Sequence, residues 1–149
     1  MKLDLHMHPL SHKYYNSGVY IPREKLDDED KQRIRTIVDW SIKRGMDVIS
    51  ITDHDMISPS LYAIEYVKEN NLPISVIPGA EIEIHRKGEI VHLLCLGITE
   101  LPKFGRISPI ENISYDVHVK DGVVIMAHPQ FSRKAFYSCI KLCDGFEHR

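Results

Sequence analysis

Short runs of β-branched and aliphatic residues, each closing on a histidine or a carboxylate, alternate along this chain with amphipathic helical stretches. The closing segments are Asp4-Leu5-His6-Met7-His8, Thr52-Asp53-His54-Asp55, Pro78-Gly79-Ala80-Glu81 and Ala127-His128-Pro129. Alternating strand and helix signals predict βα units and a mainly parallel sheet. In β/α barrels the C-terminal strand ends converge on one mouth, so polar side chains at successive strand ends predict a shared site. Imidazole and carboxylate together suit zinc, iron or manganese.

The first strand, about residues 2–8, places Leu3, Leu5 and Met7 on one face and Asp4, His6 and His8 on the other, as period-two geometry requires. Residues 9–26 read as a loop, with Pro9, Gly18 and Pro22. Asp27 or Asp28 starts a helix with an apolar stripe of Ile34, Ile37, Val38 and Trp40; Lys43 and Arg44 suit its C-terminal dipole and Gly45 its stop. A second strand is Val48-Ile49-Ser50-Ile51, and Ser58-Pro59 caps a helix carrying Leu61, Ile64 and Val67 that Pro73 closes. A third strand, about 74–77, delivers Glu81. Ile82–Ile84 and Ile90–Leu96, joined through Arg86-Lys87-Gly88, predict a hairpin. Ser108-Pro109-Ile110-Glu111 has the form of a capping box and predicts a helix with Ile110, Ile113 and Val117 inward. Val123–Met126 is the strand that delivers His128, and a last helix from about Ser132 carries Phe136, Cys139, Ile140 and Cys143.

Composition bounds the rest. A chain of 149 residues, 43% hydrophobic, suffices for one compact domain over residues 1–149. A net charge of −2 with 27% charged residues gives no broad electrostatic reason to expect nucleic acid or membrane as a partner. No apolar run approaches a membrane span and no signal peptide is visible, so the expected location is cytoplasmic. Three cysteines make no disulfide framework. Nine histidines are the departure from ordinary usage.

His6 and His8, two apart on one strand, project from one face with Cα atoms about 6–7 Å apart, a spacing that lets both imidazoles converge on one ion. Asp4 is the candidate to orient a ligand histidine from behind. His54 is the best ligand candidate after the second strand. Asp53 and Asp55 read as turn-forming or supporting residues, because aspartate readily bonds nearby backbone amides. A carboxylate can bridge two ions where an imidazole cannot, which makes Glu81 the candidate bridge and Glu83, two residues on, its competitor. His128 follows a fully apolar strand; His92 lies mid-strand and gains weight from its place in the pattern. His12 and Tyr14 lie in the loop after the first strand, while His85, His118 and His148 read as surface residues.

The motifs Asp4-Leu5-His6-Met7-His8, Ile51-Thr52-Asp53-His54-Asp55, Pro78-Gly79-Ala80-Glu81, His92 before Leu94-Cys95-Leu96-Gly97, and Ala127-His128-Pro129 resemble, in order, those of the PHP (polymerase and histidinol phosphatase) family of metal-dependent phosphoesterases. The resemblance implies an α/β fold, a distorted (β/α)7 barrel whose mouth holds two or three divalent transition metals (zinc, manganese or iron). It implies His6, His8 and Glu81 on a first metal, Glu81, His92 and His128 on a second, and His54 with His12 on a third. The family reads Ser-Asp-Gly in the loop where this chain has Pro9-Leu10-Ser11-His12. The family's late Asp-x-His has no counterpart here, so the chain reads as a barrel incomplete at its C-terminal end, with an open strand edge available for self-association.

The function so implied is hydrolysis of a phosphate ester, a phosphomonoester of a small molecule or nucleotide, by attack of a metal-bound hydroxide. Arg133 and Lys134, just after His128-Pro129, are the candidate phosphate-binding cations. Two alternatives stand beside it: a non-catalytic, metal-stabilised PHP module, and hydrolysis of amide bonds by the same metal centre.

Overall fold

The structure, a computed structural model, describes residues 1–11, 15–16, 19–20 and 25–147. The chain is mixed α/β and divides into two compact units, Met1–Ala80 and Glu81–Arg149.

In the first unit, strand β1 (Leu3–Met7) is followed by two short strands, β2 (Tyr15–Asn16) and β3 (Val19–Tyr20), which pair antiparallel inside the segment expected to be loop. Helix α1 (Asp28–Lys43) opens with a reciprocal capping box: Asp27 accepts from the Asp30 N–H, and Asp30 accepts from the Asp27 N–H. That arrangement satisfies donors the first helical turn would leave open. Its buried face is Asp30, Ile34, Val38 and Ser41, whereas Trp40 is 53% exposed and corrects the stripe expected from sequence. The Arg44 guanidinium lies over the Trp40 ring, 5.6 Å from its centroid, which explains how an exposed indole is accommodated there.

Strand β4 (Val48–Ile51) lies between β1 and β5 (Ser75–Val76) in a parallel sheet ordered β1-β4-β5. Helix α2 (Ser58–Glu69) has Ile57 at its N-cap and no side-chain cap, so Ser58 is its first helical residue rather than its cap. Its buried side chains are Pro59, Ser60 and Ala63; Leu61 and Ile64 are only partly covered. Leu10, Ile34, Val38, Ile49, Ile51, Met56, Ala63 and Ile74 form this unit's core.

The second unit carries a four-stranded sheet ordered β6-β7-β8-β9, with β6 (Gly79–Arg86) beginning just before the boundary. β6 and β7 (Glu89–Leu96) form the expected hairpin about Lys87 and Gly88, both with positive φ, as a tight two-residue turn requires. β7 pairs antiparallel with β8 (Val123–Met126), and β8 parallel with β9 (Gly145–Phe146). The mainly parallel sheet expected from sequence therefore holds in the first unit only. None of the three sheets closes on itself among the described residues. Helix α3 (Ile110–His118) buries Ile110, Ile113 and Val117 as expected. Its N-cap is Pro109, because Ser108 is engaged elsewhere, its hydroxyl accepting from the Gly105 N–H at 2.7 Å. Helix α4 (Arg133–Cys139) buries Ala135 and Cys139. No helix among the described residues is long and apolar enough to cross a membrane.

Candidate metal centre

Among the described residues, two clusters of ligand-type side chains stand on the strands or just beyond them, one in each unit. In the first, the register of β1 against β4 slips between Asp4 and Met7, so three steps along β1 match two along β4. Such a bulge re-aims the side chains beyond it. His6 Nε2 and His8 Nε2 come within 2.8 Å of one another. The His8 ring stacks on the His54 ring at 4.6 Å between centroids and 9° between planes. His6, His8 and His54 are thus gathered beside the ends of β1 and β4.

Their surroundings are polar and largely buried. Asp4 accepts from the His6 backbone N–H at 3.3 Å, so it supports the strand end through the main chain. Asp53 Oδ1 accepts from the Leu10 N–H at 2.9 Å, tying the segment after β1 to the end of β4. Burial pushes the Asp53 carboxyl up to about 7, against the lowering effects of the Leu10 amide and of His8 nearby. Asp55 is buried with φ 53°, the left-handed turn position that aspartate tolerates. Asp55 occupies the turn-forming role that its residue type suggests, whereas Asp53 acts as a long-range tie between two strand ends. His12 lies outside the described residues.

In the second unit, Glu81 is fully buried on β6, His92 sits on β7 and His128 follows β8. His128 Nε2 is 3.2 Å from Glu81 Oε1, His92 Nδ1 is 3.1 Å from His128 Nε2, and His92 Nδ1 is 3.6 Å from Glu81 Oε1. Three ligand atoms, from β6, β7 and the turn after β8, therefore form a near-equilateral triangle. Ligands held tetrahedrally at 2.0–2.2 Å from zinc stand roughly 3.4 Å apart, so this donor set has the dimensions of three corners around one ion. Burial holds His92 below the usual imidazole range despite the opposing pull of Glu81, and a neutral ring is what metal ligation requires.

Three residues here escaped the sequence reading as partners. Glu83 shares the face of Glu81 but does not join the triangle; its Oε2 lies 3.4 Å from His92 Nε2, on the ring nitrogen turned away from it. Arg106, in the connection between β7 and α3, pairs with Glu83 at 3.0 Å. Glu147, one residue beyond β9, accepts from the His128 N–H at 2.9 Å. Only Glu83 carried a signal, its two-residue spacing from Glu81; the partners of Arg106 and Glu147 depend on long-range chain placement.

Arg133 and Lys134 are both exposed at the start of α4. Arg133 lines a cavity of about 350 Å³ with Pro129, Gln130, Phe136 and Tyr137. The exposed Phe131 ring, in the turn between His128 and α4, stands 5.8 Å from that of His128.

No family model matches the chain. A protein of Methanocaldococcus jannaschii, the uncharacterised MJ1587, is 31% identical over 129 residues, covering 87% of this chain and 68% of its own length. Among solved structures, a protein from Bifidobacterium adolescentis assigned as a metal-dependent phosphoesterase superposes with a TM-score of 0.64 at 16% identity, covering 98% of this chain and 76% of that one. An amidohydrolase from Chromobacterium violaceum, solved with bound sulfate and no metal, gives 0.61 at 11% identity over 97% and 75%. A two-domain protein of Bacteroides vulgatus, containing a predicted PHP-like metal-dependent phosphoesterase, gives 0.55 at 18% identity over 97% of this chain and 43% of that one. At such identities the likeness establishes the fold alone.

Proposed function

The chain belongs to the family of Methanocaldococcus jannaschii MJ1587, and from that footing and its two histidine clusters we propose that it is a metal-dependent hydrolase of phosphate esters. The observation that carries the reading is the triangle of Glu81 Oε1, His92 Nδ1 and His128 Nε2, whose edges of 3.1 to 3.6 Å fit one ion. The proposed ligands are Glu81, His92 and His128 in the second unit and His6, His8 and His54 in the first, with zinc, manganese or iron as the ions. The distorted (β/α)7 barrel implied by the motifs belongs to the same proposal.

Divalent ions bound by these residues supply Lewis acidity toward a phosphoryl oxygen and make water a competent nucleophile near neutral pH. The chain's own groups do the rest. Glu81 presents a buried carboxylate oxygen to two imidazoles, which supplies negative charge where cations are to be held. Asp53 and Asp4 hold the backbone around the first cluster, keeping His6, His8 and His54 together. Arg133, exposed at its cavity, is the proposed contact for the phosphate, a role that suits a guanidinium's paired donors. Lys134 beside it is the second candidate cation.

The deciding experiment is a panel of phosphomonoesters, phosphodiesters and amides assayed with Mn, Fe and Zn. Metal-dependent turnover of a phosphomonoester is expected, and His128→Ala should lower kcat by orders of magnitude with the circular-dichroism spectrum unchanged. Arg133→Ala should raise KM more than it lowers kcat, if the guanidinium binds ground and transition states alike. Turnover of amides but of no phosphate ester would overturn the phosphoesterase reading.

A further inference from the structure

We infer that Glu83, clamped by Arg106, is a positioning residue that commits His92 to binding metal through Nδ1, an inference that rests on the metal-centre reading above. A neutral imidazole carries one N–H, and which nitrogen carries it decides which can bind an ion. His92 Nδ1 faces His128 Nε2 at 3.1 Å and Glu81 Oε1 at 3.6 Å. Its Nε2 faces Glu83 Oε2 at 3.4 Å. A carboxylate accepts and does not donate, so Glu83 favours the proton on Nε2 and leaves the Nδ1 lone pair toward the triangle. A carboxylate behind a ligand histidine fixes tautomer and ring orientation and raises ligand basicity.

Glu83 is only 6% exposed, and a carboxylate at such depth needs compensation. Arg106 provides it twice. Its Nη1 pairs with Glu83 Oε1 at 3.0 Å and donates to the Glu83 carbonyl at 3.2 Å, gripping side chain and main chain together. The Arg106 carbonyl in turn accepts from the His85 N–H, so residue 106 is laced to β6 at two points. His85, half exposed, also stands near the carboxylate, its Nε2 3.7 Å from Glu83 Oε1.

The sign of the Arg106 effect separates this role from simpler ones. If Arg106 were only a nearby charge, or if Glu83 were itself a ligand held back by it, removing the cation would tighten metal binding. If Arg106 acts by holding Glu83 against His92, removing it weakens metal binding although a positive charge has been deleted.

The test is titration of the metal-free 149-residue chain with cobalt(II), read from the visible ligand-field bands, for the wild type, Glu83→Gln, Arg106→Gln, the double variant and Arg106→Lys. His128→Ala identifies the bands that belong to the second unit. The expected result is 10- to 100-fold weaker cobalt binding with shifted bands in Glu83→Gln. Arg106→Gln should be weakened in the same direction, Arg106→Lys partly restored, and the double variant no weaker than Glu83→Gln alone. Thermal melts of the metal-free proteins establish that each variant is folded. Wild-type affinity and bands in Glu83→Gln, or tighter binding in Arg106→Gln, would overturn the inference. Cobalt bands untouched by His128→Ala would instead sink the metal-centre reading itself.

Discussion

Glu147 holds the backbone of His128: its Oε2 accepts from the His128 N–H at 2.9 Å, and His128 has a φ of 29°, left-handed backbone that a non-glycine residue adopts at a cost. The same residue carries Nε2 at a corner of the metal triangle. Glu147 therefore helps stabilise a strained turn whose product is the aim of one imidazole.

Removing that acceptor should show in both stability and metal binding. Glu147→Ala is expected to cost about 0.5–1.5 kcal/mol, the net worth of a hydrogen bond, because the His128 N–H is only partly buried. It should also weaken cobalt binding at the second unit's cluster. Urea midpoints of the metal-free chain and a cobalt titration check the two effects, and a variant with unaltered values on both would refute the pinning role.

The first unit's cluster makes its own prediction. Because His6 and His8 bring their Nε2 atoms within 2.8 Å of each other, replacing both with alanine should remove at least one bound ion per chain. Elemental analysis after metal loading and desalting measures this. An unchanged metal-to-protein ratio would show that these histidines are not ligands.

Gly122 precedes β8 where the chain passes close to the end of β7. A Cβ there would meet the Leu96 carbonyl oxygen at 2.7 Å and Ile98 Cγ2 at 2.8 Å. The carbonyl is backbone and cannot swing aside as a side chain would. Gly122→Ala is therefore expected to destabilise the protein by about 1–3 kcal/mol, the range for overpacking. Differential scanning calorimetry tests it, with an unshifted melting temperature as the contrary result.

Asp144 gives a pH dependence away from the proposed ligands. Burial works to raise its carboxyl, but the His118 ring at 2.8 Å and the Val124 N–H at 2.7 Å prevail and hold it below the usual range. A folded-state value below the unfolded one means the ionised group stabilises the fold. That contribution is complete above an unfolded value of about 4 and is lost as pH falls through the lower folded value. The stability advantage of wild type over Asp144→Asn should thus be flat from about pH 5 to 6 and shrink at more acid pH. Equilibrium unfolding across that range is the measurement; an advantage that grows on acidification would contradict the assignment.

Much of this arrangement is written locally. Period-two and helical patterns marked β1, β4, the β6–β7 hairpin, β8 and the cores of α1 and α3, because burial of one face forces those spacings whatever the rest of the chain does. Most cluster residues were legible for the same reason: His6, His8, His54, Glu81 and His128 stand where short apolar runs stop, whereas His92 lies in the middle of one. Capping was legible at Asp27 and misleading at Ser108, since a hydroxyl that suits an N-cap serves equally well in the turn at Gly105.

Tertiary structure alone decided the partners. The bulge in β1 that turns His6 and His8 together appears only in register against β4. The antiparallel β7–β8 pairing carries His92 to His128 across 36 positions of sequence, and no pattern in either segment announces it. Arg106 reaches Glu83 because a connecting segment returns to β6, and Glu147 reaches His128 because β9 lies beside β8. Sequence spacing reports the faces on which side chains lie. The distances that turn imidazoles and carboxylates into a ligand set come from strand order and register, which depend on contacts between residues far apart in the chain.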